Sequence, residues 1–544
     1  MRPPVALAPL RHPLFRMLWL ANVVGSLGVW MQNTGAGWLM TSLSPNALTV
    51  SLVQLATILP VFLLALPAGA LADIIDKRRF LIGTQSWMLL AAIALTALTY
   101  AGQTGAWGLL AFTFAIGIGS AMNNPAWGSV MADVVPRKDL AQAIALNGVG
   151  FNIARAVGPA LAGFLVVFGG AGLTFSLNAV SYFAVIAALL AWHRRSRRGP
   201  LPREHLVSAM RVGMRFVRHT PAMRAAMVRA AAFFMPASAP WALLPLVVRE
   251  QLHLGAAVYG ALLGLMGIGG VTAGLMLPQV REKFTRNATV FFCSLLSFAG
   301  VAILALSRHW LAASLGMMVF GIGWVAASAV AQGAAQLAAP PWVRSRSLAI
   351  YQLAFNGALA AGTFFWGWLG TVIGLPSTLF AAAATGLALA VVVRSFDLDQ
   401  VDAASSASAR AVAPLAPHRV APELATVLAE TRARVLETQT YRISPGDREA
   451  FLAAMADVRD ARGRAGAVIW QLYEDVAHAE GWIEIWAMEN WTDHLREAIR
   501  MGEADRGCIA YALSFHRGEP CAPNRYIAVP PHRPPSVREQ RNFA

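Results

Sequence analysis

Charge is what this sequence has least of. Only 13% of its 544 residues are Asp, Glu, Lys or Arg and 57% are hydrophobic, whereas about a quarter of a soluble protein is charged. An ordinary water-soluble globule is excluded. Carboxylates are scarcest where the chain is most apolar: residues 1 to 396 hold 7 Asp and Glu against 27 Lys and Arg, and residues 397 to 544 hold 21 against 17. The net charge of +16 therefore belongs to the apolar part, and no nucleic-acid partner follows from it. Cys293, Cys508 and Cys521 are too few for a disulfide framework and too dispersed for a metal cluster. No Gly-rich loop runs into Lys-Ser or Lys-Thr, so ATP is not a visible energy source, and neither cofactor nor metal is expected.

What the chain has is long apolar stretches. Twelve are counted, over 14–40, 46–72, 80–100, 106–132, 141–168, 172–193, 222–248, 256–280, 287–307, 310–338, 346–372 and 376–395. Each can cross a hydrocarbon core of ~30 Å, which takes ~20 residues. The first span follows a basic N-terminus but carries Asn22, Gln32 and Asn33 and no convincing cleavage site, so it reads as a retained helix and not as a signal peptide. With the N-terminus inside, 23 Lys and Arg of the loops and termini fall on the inner side, against Arg249 and Arg308 outside. Both termini are expected in the cytoplasm of a bacterial-type inner (plasma) membrane.

The two halves of this region repeat. A shift of 204 residues lays Gly117-Ile118-Gly119 on Gly321-Ile322-Gly323, Pro136 on Pro340, Phe151-Asn152 on Phe355-Asn356, Gly158 on Gly362, Gly163 on Gly367 and Gly170 on Gly374. The expected fold is an all-α polytopic membrane protein of twelve transmembrane helices, 6+6, with a C-terminal α+β ferredoxin-like domain. Its expected divisions are a first half at 1–193, a basic central loop at 194–221, a second half at 222–396, a flexible linker at 397–430, the ferredoxin-like domain at 431–525 and a disordered end at 526–544.

Two motifs carry a family resemblance. Gly69-Ala-Leu-Ala-Asp73-Ile-Ile-Asp76-Lys77-Arg78-Arg79 stands between spans 2 and 3. A carboxylate at a helix end beside loop cations can hold one conformation of a bundle. The segment resembles the loop signature of the major facilitator superfamily, with Ile74 in place of the usual Arg and Asp76 in place of the usual Gly. In span 5, Gly150, Ala154, Gly158 and Ala162 repeat every fourth residue, and Pro159 interrupts the helix. The run from Asn152 to Gly163 resembles the transmembrane secretion effectors, the enterobactin exporter-like branch of that superfamily. The resemblance implies gating or latch roles for Gly69, Asp73, Lys77, Arg78, Asp133, Gly158 and Pro159, although for the glycines close packing against span 8, with no ligand contact, is the favoured reading.

Polar residues within the spans mark an expected substrate path: Asn22, Gln32, Asn33, Gln54, Asn123, Asn124, Asn152, Arg155, Gln332, Gln352 and Asn356, with Gln336 beside them. Mixed with Trp30, Trp38, Trp127, Phe355 and Trp366, they fit an amphiphilic, aromatic-rich cavity. Arg155 lies 14 residues beyond Ala141, roughly 21 Å along the helix, and no Asp or Glu stands mid-span to meet it. It either binds carbonyls and Asn side chains, meets an anionic substrate group, or snorkels. Pro236, Pro240 and Pro245 are expected to bend span 7.

The tail reads as strand 434–443, helix 446–462 with Phe451, Leu452, Met455 and Val458 on one face, strands 467–474 and 482–488, helix 491–501 and a last strand at 510–516. It resembles the antibiotic-biosynthesis-monooxygenase-like dimeric α/β barrels, which implies pairing into a homodimer and makes Trp470, Asn490 and His494 candidates for cofactor-independent chemistry. The whole reads as a secondary active transporter and not an enzyme. It is expected to exchange protons for amphiphilic, siderophore- or drug-like small molecules leaving through the bilayer. A membrane-anchored monooxygenase-like enzyme and an uptake transporter are the alternatives.

Overall fold

The computed structural model describes residues 5–136, 139–192, 206–340, 342–399, 433–518 and 522–528, and these form two compact units. One takes in Met1–Arg203, Ala225–Gln336 and Leu348–Asp399; the other takes in Glu204–Arg224, Leu337–Ser347 and Gln400–Ala544. Most of the chain is helical: α1 (Pro13–Leu43), α2 (Ala47–Ile74), α3 (Lys77–Tyr100), α4 (Ala106–Val134), α5 (Leu140–Ala191), α6 (Leu206–His219), α7 (Pro221–Leu246), α8 (Ala256–Lys283), α9 (Arg286–Leu306), α10 (Trp310–Ala338), α11 (Arg344–Ile373) and α12 (Leu375–Val392). Eleven of them are long and apolar enough to cross a membrane.

Polar side chains cap the starts of three of these helices. Asn46 accepts from Leu48 N at the head of α2, Asp76 from Arg79 N at the head of α3, and Thr285 from Ala288 N at the head of α9. Asp76 is thus a helix cap, which explains a carboxylate where the loop signature has glycine. The long α5 is two arms joined at Gly169 and Gly170, where Gly170 takes φ 66° and ψ −177°. Only glycine adopts that geometry at little cost. Gly374, 204 residues later, takes φ 80° and heads α12.

Several residues 204 positions apart make comparable contacts. Gly117 of α4 lies against Ala56 and Pro60 of α2, and Gly321 of α10 against Met266 of α8. Gly119 faces Met88 of α3, and Gly323 faces Cys293 and Ser297 of α9. Gly158 of α5 packs on Trp30 of α1 and Gly163 on Gly260 of α8, while Gly362 of α11 packs on Met235 of α7 and Gly367 on Ser51 of α2. The turns match as well, with Asp139 N donating to Pro136 O and Val343 N to Pro340 O.

Two features depart from expectation. The central connection contains the amphipathic helix α6, with Phe216 and Val217 buried and Arg211 and Arg218 exposed. After α12 the chain stays pinned through Asp399: Arg286 N and Asn287 Nδ2 donate to Asp399, and Leu398 N donates to Asn287 Oδ1. A carboxylate there also suits the N-terminus of α9. Residues 400–432 and 529–544, which hold most of the linker and disordered end expected from the sequence, lie outside the described residues.

The second unit carries β1 (Val435–Arg442), α13 (Arg448–Ala465), β2 (Ile469–Glu474), β3 (Gly481–Met488), α14 (Trp491–Arg500), α15 (Glu503–Leu513) and β4 (Asn524–Ile527). The sheet is antiparallel in the order β2-β3-β1-β4. Alternation puts Glu437, Gln439 and Tyr441 on one face opposite Trp486, Glu484 and Trp482, and Phe451, Met455 and Val458 of α13 close over that face while Leu452 stays exposed. The strand expected at 510–516 is instead the end of α15 and a turn. Acidic Glu503 and Asp505 open that helix, with Gly502 N donating to Asp505 Oδ2, and a seven-residue apolar run does not separate period 2 from period 3.6. The real last strand runs past residue 525, and Ala528 N donates to Arg434 O.

Candidate functional site

The helical unit is crossed by a chain of aromatic rings. Phe151 of α5 meets Trp30 of α1 edge-on at 6.2 Å, Trp30 meets Trp241 of α7 at 6.0 Å, and Trp241 meets Trp324 of α10 at 5.7 Å. Trp324 then meets Phe234 of α7 at 4.9 Å, and Phe234 meets Phe355 of α11 at 4.3 Å. Such pairs contribute about 0.5–1.5 kcal/mol each beyond area burial. Trp30 and Phe355 were expected here. Trp241 and Trp324 were not, although each stands on a helix beside residues that were.

Arg155 opens onto this chain. Trp30, Pro159, Trp241, Leu263, Met266, Gly267 and Val325 line a small cavity with it. Its Nη2 donates to Asn152 Oδ1 at 2.9 Å, and Asn152 Nδ2 donates to Gly148 O at 2.9 Å. Gly270 makes room for the guanidinium, since a Cβ there would stand 3.2 Å from Nη2. Among the described residues no carboxylate pairs with Arg155. A central arginine costs about 2.5–3.5 kcal/mol on insertion scales, and one side-chain amide uses few of its five N–H donors.

At one end of the unit α1 is tied to the segment between α7 and α8 and to α8 itself. Arg249, on a π-helical turn after α7, donates to Thr41 Oγ1 at 3.0 Å and Ser42 Oγ at 2.6 Å. Its guanidinium lies 6.0 Å from the Trp38 ring, which stacks on Tyr259 of α8. The three prolines of α7 leave it helical from Pro221 to Leu246. Toward the other end, Asn124, Asn152, Gln332, Gln336 and Gln352 are exposed.

The remaining path residues divide. Gln32 is buried and accepts from Asn178 of the second arm of α5, Asn22 donates to Asn147 Oδ1, and Asn123 Oδ1 accepts from Gln85. These join helices. Asn33 and Gln54 are half-buried, and Asn356 Nδ2 donates to Gln352 O at 2.8 Å. Trp127 is buried among α1, α3, α4 and α5 side chains, and Trp366 is buried with its indole N–H on Met235 O. Neither lines the cavity, because their bulk fills helix–helix contacts instead.

Of the latch residues, the surroundings of Gly69, Asp73 and Asp133 lie outside the described residues. Arg78 donates through Nε to Leu189 O at 2.8 Å and through Nη2 to Leu190 O at 2.7 Å. It caps the carbonyl end of the second arm of α5, where the helix dipole favours a cation. Gly158 and Pro159 sit in the packing of α5 against α1 and α8.

In the tail, Trp470 and His494 join one buried ion-pair network, and Asn490 caps a helix. Trp470 Nε1 donates to Glu484 Oε1 at 3.0 Å, and Arg462 bridges Glu484 at 3.1 Å and Glu497 at 3.0 Å. His494 Nδ1 lies 2.7 Å from Glu437 Oε1, and Glu437 Oε2 accepts from Arg525 at 3.1 Å. Asn490 caps α14, accepting from Asp493 N. Glu437, His494 and Glu497 have ligand atoms within 4.8 Å of one another, but Arg525 and Arg462 already neutralise both carboxylates, which disfavours a cation. Burial works to raise the Glu437 carboxyl, yet the bond and charge of His494, with Arg525 and Arg462, hold it below the ordinary range. Burial pushes the Glu497 carboxyl up, and the Glu437 charge adds to the rise while Arg462 and His494 oppose it.

Eleven helices of membrane-crossing length around an aromatic interior suit a membrane transporter. The family profile described as "Transmembrane secretion effector" matches residues 4–529, and the chain belongs to that family. Similar curated proteins include the staphyloferrin A transporter of Staphylococcus aureus, 26% identical over 284 residues, 52% of this chain and 71% of that one. The enterobactin exporter of Citrobacter koseri is 21% identical over 316 residues, 58% and 75% of the two chains. Among solved structures, an inward-facing bacterial homologue of the lysosomal transporter Spinster superposes with a TM-score of 0.56 at 14% identity, covering 73% of this chain and 97% of that one. A POT family transporter gives 0.59 at 13% identity, covering 70% and 95%. The protein is a multi-pass membrane transporter of the major facilitator type.

Proposed function

We propose that the chain exports siderophore-like amphiphilic small molecules across the inner membrane in exchange for protons. The observation that carries this is the continuous aromatic chain with Arg155 at its edge, inside a unit whose α1 is tied by Arg249 to the segment after α7. The relatives named above, a staphyloferrin A transporter and an enterobactin exporter, support the substrate class. The break at Gly170 supports reading α5 as two crossings, and so twelve in two six-helix halves, as do the comparable contacts 204 residues apart. Arg249 then lies on the periplasmic side and both termini in the cytoplasm, so exposed Asn124, Gln332 and Gln352 border an inward opening.

The tail is read as a ferredoxin-like domain, since its strand order corresponds to 4-1-3-2. A homodimer through the outer sheet face, with Ile469, Tyr473, Ile483 and Ile485, is proposed with it. An enzymatic tail is not favoured, because ion pairing and capping occupy Trp470, Asn490 and His494. The test is efflux from cells with and without the chain, across hydroxycarboxylate and catecholate siderophores, antibiotics and dyes, with and without a protonophore. Retention of siderophore without the chain, and loss of efflux with the protonophore, is the expected result. Equal accumulation in both cells would overturn it.

A further inference from the structure

The two halves share an aromatic frame and differ in one charge. Trp30 and Phe151 meet edge-on in the first half, and Phe234 and Phe355 meet edge-on in the second. Both residues of the first pair map onto the second at an offset of 204, the spacing of the glycine landmarks. Asn152 and Asn356 follow the two phenylalanines, and each returns its Nδ2 to the carbonyl four residues earlier. Three positions beyond Asn152 stands Arg155, and three beyond Asn356 stands Leu359, which is buried. Trp241 and Trp324 connect the two pairs. The symmetry of the backbone thus ends in an interior with a cation on one side and an aliphatic chain on the other.

We infer that this frame is a bipolar site for an amphiphilic organic anion, held by its oxyanion at Arg155 and Asn152 and by its apolar body against Phe234, Phe355, Trp324 and Leu359. This rests on the transport reading above and adds a charge and an orientation to it. A guanidinium presents paired donors that suit a carboxylate or two catecholate oxygens, and its single described partner is an amide on its own helix. A cationic amphiphile would meet like charge there, and none of the carboxylates of residues 1–396 lies mid-span to hold one. The polarity also assigns halves: the head belongs to α5 and α1, the body to α7, α10 and α11.

The test uses the full chain in lipid nanodiscs and quenching of tryptophan fluorescence, since three indoles lie in the frame. The probes are a citrate-based siderophore, its methyl ester, a catecholate siderophore and tetraphenylphosphonium. At least tenfold tighter binding of an anion than of the ester is expected, with Arg155→Leu abolishing that preference. The carboxylate and catecholate arms decide which oxyanion is taken. If Arg155→Leu does not insert, Arg155→Gln makes the same comparison, and the wild-type ratio of anion to ester decides independently of any variant. Wild-type anion binding in a folded Arg155→Leu protein, or a preference for tetraphenylphosphonium, would overturn the site. A chain that binds the anions but moves none of them through proteoliposomes would instead sink the export reading and leave the site standing.

Discussion

Gly163 and Gly260 stand back to back, so that a Cβ on Gly163 would lie 2.9 Å from the Gly260 Cα and a Cβ on Gly260 would lie 2.8 Å from the Gly163 Cα. Helices α5 and α8 touch here through backbone alone. Gly163→Val and Gly260→Val should each cost about 1–3 kcal/mol by overpacking and stall turnover, because the added atoms meet main chain that cannot rotate away. Thermal melts in detergent and efflux rates check this together. Wild-type values in both variants would mean that the helices slide apart freely.

Arg78 anchors the start of α3 to the end of the second arm of α5. A half-buried, charge-assisted pair of bonds to Leu189 and Leu190 carbonyls is worth about 1–2 kcal/mol after allowance for its exposure. Arg78→Gln should lower the melting temperature by a few degrees and loosen amide protection around residues 186–191. Asp73→Asn is expected to slow turnover while sparing substrate binding, so the two variants separate anchoring from latching. A slowed Arg78→Gln protein of unchanged stability would join Arg78 to the latch after all.

Orientation is checked by reporters. Fusions after Ser196 and after Arg394 should both report the cytoplasm, because twelve crossings would gather the loop and terminal cations on one side. A periplasmic signal at either position would break the division of α5 at Gly170, since an undivided α5 reverses every later loop.

The buried carboxylates of the tail titrate in opposite senses. Glu437 is depressed, so its stabilisation is present above its unfolded value of about 4.5 and lost as pH falls through its lower folded value. Glu497 is raised, so its contribution is present below about 4.5 and lost as pH climbs through its higher folded value. Glu437→Gln should therefore destabilise the tail most near neutrality, and Glu497→Gln should gain on the wild type as pH rises. Amide exchange of β1 and α14 peptides in the full chain, corrected for intrinsic rates, reads both slopes. Slopes of the same sign would show that the two carboxyls share protons differently.

Much of the helical unit was legible because lipid imposes a period-independent signal, about twenty apolar residues per crossing, and because glycines tolerate little replacement where backbones meet. The offset of 204 alone picks out Gly158, Gly163 and Gly170 in the sequence. The site was legible only in part. Arg155 announced itself as a lone mid-span charge, but Trp241 and Trp324 look in sequence like any other apolar residue, and Trp127 and Trp366 look the same while packing elsewhere. Helix α6 and the strand 524–527 were missed for a shared reason: each owes its form to partners far along the chain, and local pattern carries little of that.

Those distant partners set an order of events during synthesis. In the second unit Phe216 rests edge-on against Trp342 at 5.9 Å, the Arg500 guanidinium lies 5.3 Å from that same indole, and Arg211 reaches Glu489 at 3.1 Å. The first of these residues leaves the ribosome nearly three hundred residues before the last. Until the final hundred or so are made, α6 and the α10–α11 connection must wait with their aromatic and basic groups uncovered. A chain that stops short therefore leaves Trp342 without the Arg500 guanidinium and Arg211 without the Glu489 carboxylate that the tail supplies.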